Sequence, residues 1–217
     1  MTTKTGFTLR DLVPGVVAMT LVVVASNILV QYPVAATIGR LNLADLLTWG
    51  AFTYPAAFFV TDMTNRRYGP TIARLVVVAG FAVAVALSVY LSTPRIAVAS
   101  GSAFLVGQLL DVTVFNRLRR TSWWQAPLAA SIFGSILDTV LFFSLAFSAS
   151  AGFLGPDDGF ALEAAPFLGL FALEVPRWIS WAAGDFSVKM LAALAFLIPY
   201  RALLGIVGVW TPTPRRG

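Results

Sequence analysis

The sequence predicts an all-α, polytopic integral membrane protein with six transmembrane helices, and three observations support this. Of its 217 residues, 58% are hydrophobic and only 12% are charged, about half the charged share of a soluble domain. The apolar residues form runs long enough for a helix to cross roughly 30 Å of hydrocarbon. These runs lack the strand-like alternation of a membrane barrel, so helices are expected to satisfy the backbone in lipid.

The six runs are separated by short connections that carry most of the basic residues. We expect the whole chain, residues 1–217, to form a single transmembrane domain. The spans are predicted at about 13–31, 44–61, 71–91, 96–115, 128–150 and 187–210.

The connection between the fifth and sixth spans is too long for a simple loop. It contains a turn signal at Gly155–Gly159, and the apolar stretch Ala164–Leu173 is too short to cross a bilayer. Trp178, Trp181 and Phe186 follow it. We expect this segment to lie in the membrane interface on the external side. The alternative is a seventh span, which would place Arg215 and Arg216 outside.

Basic residues predict the orientation, because cytoplasmic connections are enriched in Lys and Arg. Only three lie on the opposite side, namely Arg40, Arg95 and Arg177. Both termini should therefore be cytoplasmic. Eleven basic residues fall on the predicted cytoplasmic side: Lys4, Arg10, Arg66, Arg67, Arg74, Arg117, Arg119, Arg120, Arg201, Arg215 and Arg216.

Composition also excludes several function classes. The chain has no Cys and no His, which rules out disulfides, a Ser–His catalytic pair and a zinc site of the usual kind. The phosphate-binding motif G-x-x-x-x-G-K-[ST] does not occur, so this chain should not hydrolyse ATP in that way by itself. We expect no metal, no cofactor, no nucleic-acid partner and no enzymatic activity.

Charged and amide side chains lie inside or at the ends of the predicted spans. A charge in hydrocarbon costs roughly 3 kcal/mol on insertion scales, so such residues usually face a protein interior or a polar pathway. Helical spacing places Asn27 with Gln31, Gln108 with Asp111, and Asp185 with Lys189 on common faces. Asp62 is predicted at the end of span two and Asp138 near the middle of span five. These are the residues of interest: Asn27, Gln31, Asp62, Gln108, Asp111, Asp138, Asp185 and Lys189.

Simpler structural roles stay open for each of them. Asp62 could pair with Arg66, and Asp185 with Lys189, at i, i+4 spacing. Asn27 and Gln31 could join helices through hydrogen bonds. Asp111 and Asp138 have no local cation, so they could pair with Lys189 or with an arginine of another helix. The aromatic residues near span two, Trp49, Phe52 and Tyr54, could serve packing alone.

The chain resembles the queuosine precursor transporter family, also called the vitamin uptake transporter family, from about residue 20 to 205. Each matching motif is short, but their order and spacing together are specific. The chain departs from the pattern at Arg66, where many members carry Glu. The matching segments are Ser26–Gln31, Thr48–Phe52, Thr61–Thr64 with Tyr68–Gly69, Gly107–Val112, Val114–Arg119, Trp123–Trp124, Phe133–Asp138 and Lys189 with Leu197–Pro199.

The resemblance implies a six-helix protein of the bacterial inner membrane that imports 7-cyano- or 7-aminomethyl-7-deazaguanine, the precursors of the tRNA nucleoside queuosine. A deazaguanine offers N–H and amino donors, a carbonyl acceptor and a flat face for stacking. We hypothesise that Asn27, Gln31, Gln108, Asp138 and Lys189 line its pocket. Trp49 or Phe52 would stack on the base, and Asp62 and Asp111 would form a gate or proton relay.

Three other functions are compatible with the sequence. The chain could be a substrate-binding membrane subunit for a vitamin-like molecule that works with a separate ATPase module. It could be a membrane-embedded enzyme acting on lipids, although the absence of His and Cys counts against this. It could also be a scaffold protein. Expected partners are the small-molecule deazapurine and membrane lipid, and a homo-oligomer is possible.

Overall fold

A computed structural model describes residues 9–207. Most of this part of the chain is helical, and two small hairpins lie in its connections. The helices are α1 Leu9–Leu29, α2 Trp49–Thr53, α3 Ala56–Tyr68, α4 Pro70–Leu91, α5 Pro94–Leu118, α6 Gln125–Phe147, α7 Gly159–Leu162, α8 Arg177–Ala195 and α9 Leu197–Val207. The strands are β1 Thr37–Ile38 and β2 Leu41–Asn42, then β3 Ala164–Pro166 and β4 Glu174–Pro176, with each pair antiparallel.

Five helical stretches of the described residues are long and apolar enough to cross a membrane. Four of them match predicted spans to within a few residues: α1, α4, α5 and α6. Local signals explain where α5 begins. Thr93 caps α5 by accepting a hydrogen bond from the Ile96 amide, and Pro94 occupies the first turn. The fifth stretch, Arg177–Gly205, contains α8 and the beginning of α9.

The second predicted span, 44–61, differs from the structure because its helix is interrupted. Helix α2 ends at Thr53 and α3 begins at Ala56. Pro55 lies in this break and has no N–H with which to continue the helical hydrogen bonds. Helix α3 then continues to Tyr68, so Asp62 lies in its middle rather than at its end. The polar residues beyond Thr61 extend the helix because they are buried inside the protein.

The sixth predicted span, 187–210, begins earlier in the structure, at Arg177. Trp178, Trp181 and Phe186 therefore belong to α8 rather than to the preceding interfacial segment. Trp181 helps to hold this end of α8, because its indole N–H donates to the Asp45 carbonyl at 2.9 Å. Parts of the predictions lie outside the described part of the chain: Lys4, Arg215, Arg216 and the end of the predicted span 187–210.

Arg95 organises the connection between α6 and α8. Its side chain is almost fully buried, and its guanidinium donates to Asp157 Oδ1 at 2.8 Å. The same guanidinium donates to four backbone carbonyls of the end of α6 and the following turn. These belong to Leu145, Ser148, Gly155 and Pro156. Arg95, which the sequence analysis used only to predict orientation, therefore holds the end of α6 and the following turn together.

The helices pack against one another in two ways, through an apolar core and through close approach of two helix backbones. Met19, Val76 and Phe104 belong to the largest apolar core, where α1, α4 and α5 meet. Helices α5 and α6 approach through two glycines. A Cβ on Gly107 would lie 2.9 Å from the Asp138 Cβ, and one on Gly134 would lie 3.1 Å from the Gly107 carbonyl oxygen. Small residues allow such an approach between membrane helices.

Candidate functional site

The α5–α6 glycine contact brings two acidic side chains to the same level of the bundle. Asp138 packs against Gly107, and the Asp111 Cβ would lie 3.3 Å from a Cβ on Gly134. Asp111 and Asp138 are almost completely buried. Each belongs to a different polar cluster, and the two clusters differ in how well their atoms are hydrogen-bonded.

The first cluster, called the lysine cluster, surrounds the ammonium group of Lys189. Lys189 Nζ lies 2.6 Å from Asp138 Oδ2 and 2.5 Å from Asp185 Oδ2, and it donates to Thr139 Oγ1 at 3.1 Å. The Tyr54 hydroxyl donates to Asp138 Oδ1 at 2.8 Å. Both oxygens of Asp138 are therefore occupied by protein donors. The lysine cluster consists of Tyr54, Asp138, Thr139, Asp185 and Lys189.

In the second cluster, called the α3–α5 cluster, several buried polar atoms have no hydrogen-bond partner among the described residues. Asp62 of α3 and Asp111 of α5 are both buried within it. Thr61 donates to Gln108 Oε1 at 2.6 Å, which holds Gln108 beside them. The cluster consists of Thr61, Asp62, Asn65, Arg66, Gln108 and Asp111.

Six buried polar atoms of the α3–α5 cluster have no hydrogen-bond partner within the described part of the protein. Most buried polar atoms in folded proteins do have one. Four of the six are acceptors and two are donors. The acceptors are Asp62 Oδ1, Asn65 Oδ1 and both Asp111 carboxylate oxygens, and the donors are Arg66 Nη2 and Gln108 Nε2.

Arg66 closes one end of this cluster with its other nitrogens. Its Nε donates to the Tyr200 hydroxyl at 2.8 Å, and its Nη1 donates to the Arg119 carbonyl. The guanidinium also lies over the Phe115 ring, 5.0 Å from its centroid. Burial, together with the charges of Arg66 and Arg120, lowers the pKa of Arg119 from its usual value. The alternative in which Arg66 simply neutralises Asp62 is not observed, because no ion pair joins their side chains among the described residues.

A small enclosed cavity lies between the two clusters. Lys189 contributes to its wall from the lysine cluster, and Asp62 from the α3–α5 cluster. At about 20 Å³, the cavity has room for about one water molecule. Its complete lining is Pro55, Phe58, Phe59, Asp62, Pro127, Ser131, Ser135, Lys189, Ala193, Phe196, Leu197 and Tyr200.

Two helix interruptions border this cavity. Pro55 lies between α2 and α3, and Phe196 lies between α8 and α9. Pro199 explains the second interruption, because it has no N–H to donate to the Ala195 carbonyl. Irregular backbone at membrane depth is tolerated where it is buried in protein or lines a cavity, and discontinuous helices form the binding sites of many carriers.

The structure brings together only some of the predicted site residues. Asp138 and Lys189 are paired, and Gln108 lies beside Asp62 and Asp111. Asn27 instead receives a hydrogen bond from Ser88 at 3.3 Å, and the exposed Gln31 donates to the Asn27 carbonyl at 3.3 Å. The proposed stacking residues Trp49 and Phe52 are exposed and pack against each other, with ring centroids 5.8 Å apart. None of these last four lines the cavity.

Sequence reasoning missed several residues of the site. Tyr54 was considered only for packing, whereas Ser131 and Ser135 were not assigned a site role. Phe59 and Phe196 form a stacked pair at the cavity, 5.3 Å apart, which no local pattern indicates. Pro55 and Pro199 were the available signals, because a proline inside an apolar helix marks a break. Among the described residues, no group of three or more Asp or Glu side chains could hold a metal ion.

A cavity at two helix interruptions, lined mainly by apolar residues and reached by Asp62 and Lys189, is a feature shared with membrane carriers of small molecules. The comparison with known families agrees with this class. The family model described as "Putative vitamin uptake transporter" matches residues 48–93 and 87–203. The chain therefore belongs to the vitamin uptake transporter family.

Several curated proteins are similar to this chain over most of their length. The queuosine precursor transporter of Escherichia coli (strain K12) is 34% identical, over 86% of this chain and 83% of that protein. The probable queuosine precursor transporter of Haemophilus influenzae is 33% identical over the same shares. The probable queuosine precursor transporter of Bacillus subtilis (strain 168) is 28% identical, over 70% of this chain and 69% of that protein. No solved structure matches the chain significantly.

Proposed function

We propose that this protein imports queuosine precursors, 7-cyano- or 7-aminomethyl-7-deazaguanine, across a bacterial inner membrane. Two independent observations support the proposal: relatives with this printed function, and a cavity inside an apolar helix bundle that Asp62 and Lys189 help to line. In this proposal α2 and α3 together make the sixth crossing, and both termini lie in the cytoplasm. The protein acts as a carrier rather than as an enzyme.

The observation that carries the proposal is the cavity between Lys189 and Asp62, bordered by both helix interruptions. Its volume of about 20 Å³ is far below the 300–1,000 Å³ of typical ligand pockets. A deazaguanine can therefore enter only if neighbouring helices move apart. The backbone can bend at Pro55 and Phe196 because helical hydrogen bonding is already interrupted there. Alternating access in carriers requires movement of this kind.

The remaining predicted residues keep their proposed roles in this pathway. Asp138 and Lys189 hold one polar side of the pocket, and Gln108 contributes from the α3–α5 cluster. Asp62 and Asp111 serve as the gate or proton relay, because both have carboxylate oxygens free to receive a proton or a ligand. Contacts of the approaching substrate are proposed for Asn27, Gln31, Trp49 and Phe52.

Queuosine in tRNA provides the test. A bacterial strain that cannot synthesise the precursor and lacks its own importer is fed low concentrations of each deazaguanine, with and without this protein. We expect queuosine only when the wild-type protein is present. The Asp138→Asn and Asp111→Asn variants should lower it, whereas the exposed Glu174→Gln change should not. No queuosine despite verified membrane insertion would overturn the proposal, and copurification of an ATPase would then favour the binding-subunit alternative.

A further inference from the structure

The two clusters on either side of the cavity differ in their capacity to bind a ligand. Asp138 already receives hydrogen bonds from Lys189 and Tyr54 on both of its oxygens. Each of these oxygens has one donor already and can accept one more. Asp62 and Asp111 retain three oxygens that have no donor within the described part of the chain. New hydrogen bonds therefore cost less at the α3–α5 cluster.

The free atoms of the α3–α5 cluster include both kinds of hydrogen-bonding group. Carboxylate oxygens of Asp62 and Asp111 accept, whereas Gln108 Nε2 and Arg66 Nη2 donate. All four side chains are at least nine-tenths buried. A bare cation would satisfy the acceptors and leave the donors unpaired. A molecule with adjacent donors and a carbonyl acceptor on one edge would satisfy both.

We propose that the α3–α5 cluster reads the guanine-type edge of the substrate, and this inference rests on the proposed function. The ring N–H and the 2-amino group of the base donate to the carboxylates of Asp62 and Asp111. The base carbonyl accepts from Gln108 Nε2 or Arg66 Nη2. Asp62 makes the first contact because it lines the cavity, whereas Asp111 lies behind it and does not.

This arrangement specifies which chemical group the protein selects. An analogue without the 2-amino group leaves a buried carboxylate oxygen without a donor. An adenine-type edge also places a donor opposite Gln108 and Arg66, where the site requires an acceptor. Sites built to hydrogen-bond a polar group strongly reject analogues that lack it. The lysine cluster then positions helices α6 and α8 around the substrate without reading the 2-amino group.

Competition for uptake tests the inference. Cells without their own importer express the full-length protein and receive labelled 7-cyano-7-deazaguanine. The competitors are the unlabelled substrate, its analogue lacking the 2-amino group, and its adenine-type analogue. With the wild-type protein, we expect the concentration of each analogue that halves uptake of the label to be about tenfold or more above that of the unlabelled substrate. Equal competition by the analogue lacking the 2-amino group would overturn the inference while leaving the import function intact.

A variant provides the second readout. In Asp62→Asn, the amide can no longer offer two acceptor oxygens, so uptake should fall and the preference for the 2-amino group should shrink severalfold. Glu174→Gln, at an exposed position of β4, should keep the wild-type preference. An Asp62→Asn protein that is slower but discriminates as well as wild type would overturn the inference. If wild-type cells take up no label at all, both this inference and the proposed function fail.

Discussion

Lys189 and Asp138 form an ion pair with a 2.6 Å contact, in which both side chains are only 4% exposed. Lys189 comes from α8 and Asp138 from α6, so the pair joins two helices that are far apart in the sequence. Asp185, one turn before Lys189 in α8, contacts the same ammonium group. One cation thus neutralises part of the charge of two carboxylates, and it holds α8 in a defined rotation against α6.

Removing the cation should destabilise this helix pair. We expect Lys189→Met to cost roughly 3–5 kcal/mol, because it leaves Asp138 buried and without its charged partner. The double variant Lys189→Met/Asp138→Asn should recover part of this loss, since the buried charge disappears with its partner. Thermal melting of the detergent-solubilised proteins measures both effects. Equal melting temperatures for wild type and Lys189→Met would show that the pair contributes no net stability.

The contact between α5 and α6 should be equally sensitive to small additions. In Gly107→Ala, the new methyl group would lie 2.9 Å from the Asp138 Cβ and 3.2 Å from the Gly134 carbonyl oxygen. We expect a loss of about 1–3 kcal/mol from overpacking. Gly159→Ala is the matched control, because a Cβ there meets no atom within 4 Å. Melting temperature and uptake should fall for Gly107→Ala and stay near wild type for Gly159→Ala.

The long helices could be predicted because each is a continuous apolar run. The span expected at 71–91 is observed as Pro70–Leu91. The interruptions beside the cavity could not be located by hydropathy, which averages over the residues around Pro55 and Phe196. The buried polar continuation of α3 was also missed, because a polar stretch normally marks the end of a span and here packs against α5.

The sequence predicted which residues belong to the site better than it predicted which side chains contact one another. Sequence reasoning selected Asp138 and Lys189 and considered an ion pair between them, but spacing alone does not set the register between α6 and α8. Asp138 differs from Asp111 in its hydrogen bonds: Tyr54 and Lys189 donate to Asp138, whereas neither donates to Asp111. Only three-dimensional packing decides that.

Arg95 should control the order of the connection after α6. We expect Arg95→Lys to weaken it, because a single ammonium group cannot reproduce the fork of contacts with Asp157 and four carbonyls. Limited proteolysis should then cut within 149–160 faster than in wild type. Arg40→Lys changes an exposed arginine and serves as the control. Equal cleavage rates in the Arg95→Lys and Arg40→Lys proteins would show that Arg95 does not hold this connection in place.

Stacking of the substrate should depend on the cavity aromatics rather than on the exposed pair in α2. Phe59 and Phe196 line the cavity with rings 5.3 Å apart and 29° from parallel, so a flat base can insert beside or between them when α8 and α9 bend. We expect Phe59→Leu and Phe196→Leu to raise KM for uptake about threefold to tenfold, corresponding to a lost aromatic contact of roughly 0.5–1.5 kcal/mol.

Trp49→Leu and Phe52→Leu provide the comparison, because these rings are 49% and 42% exposed and do not line the cavity. If the base stacks inside the cavity, these two changes should leave KM within about twofold of wild type, a smaller change than the loss of one aromatic contact produces. The opposite pattern, with KM raised only by the α2 changes, would place the stacking surface at Trp49 and Phe52 as the sequence suggested. Initial uptake rates over a range of substrate concentrations, normalised to the amount of inserted protein, separate the two outcomes.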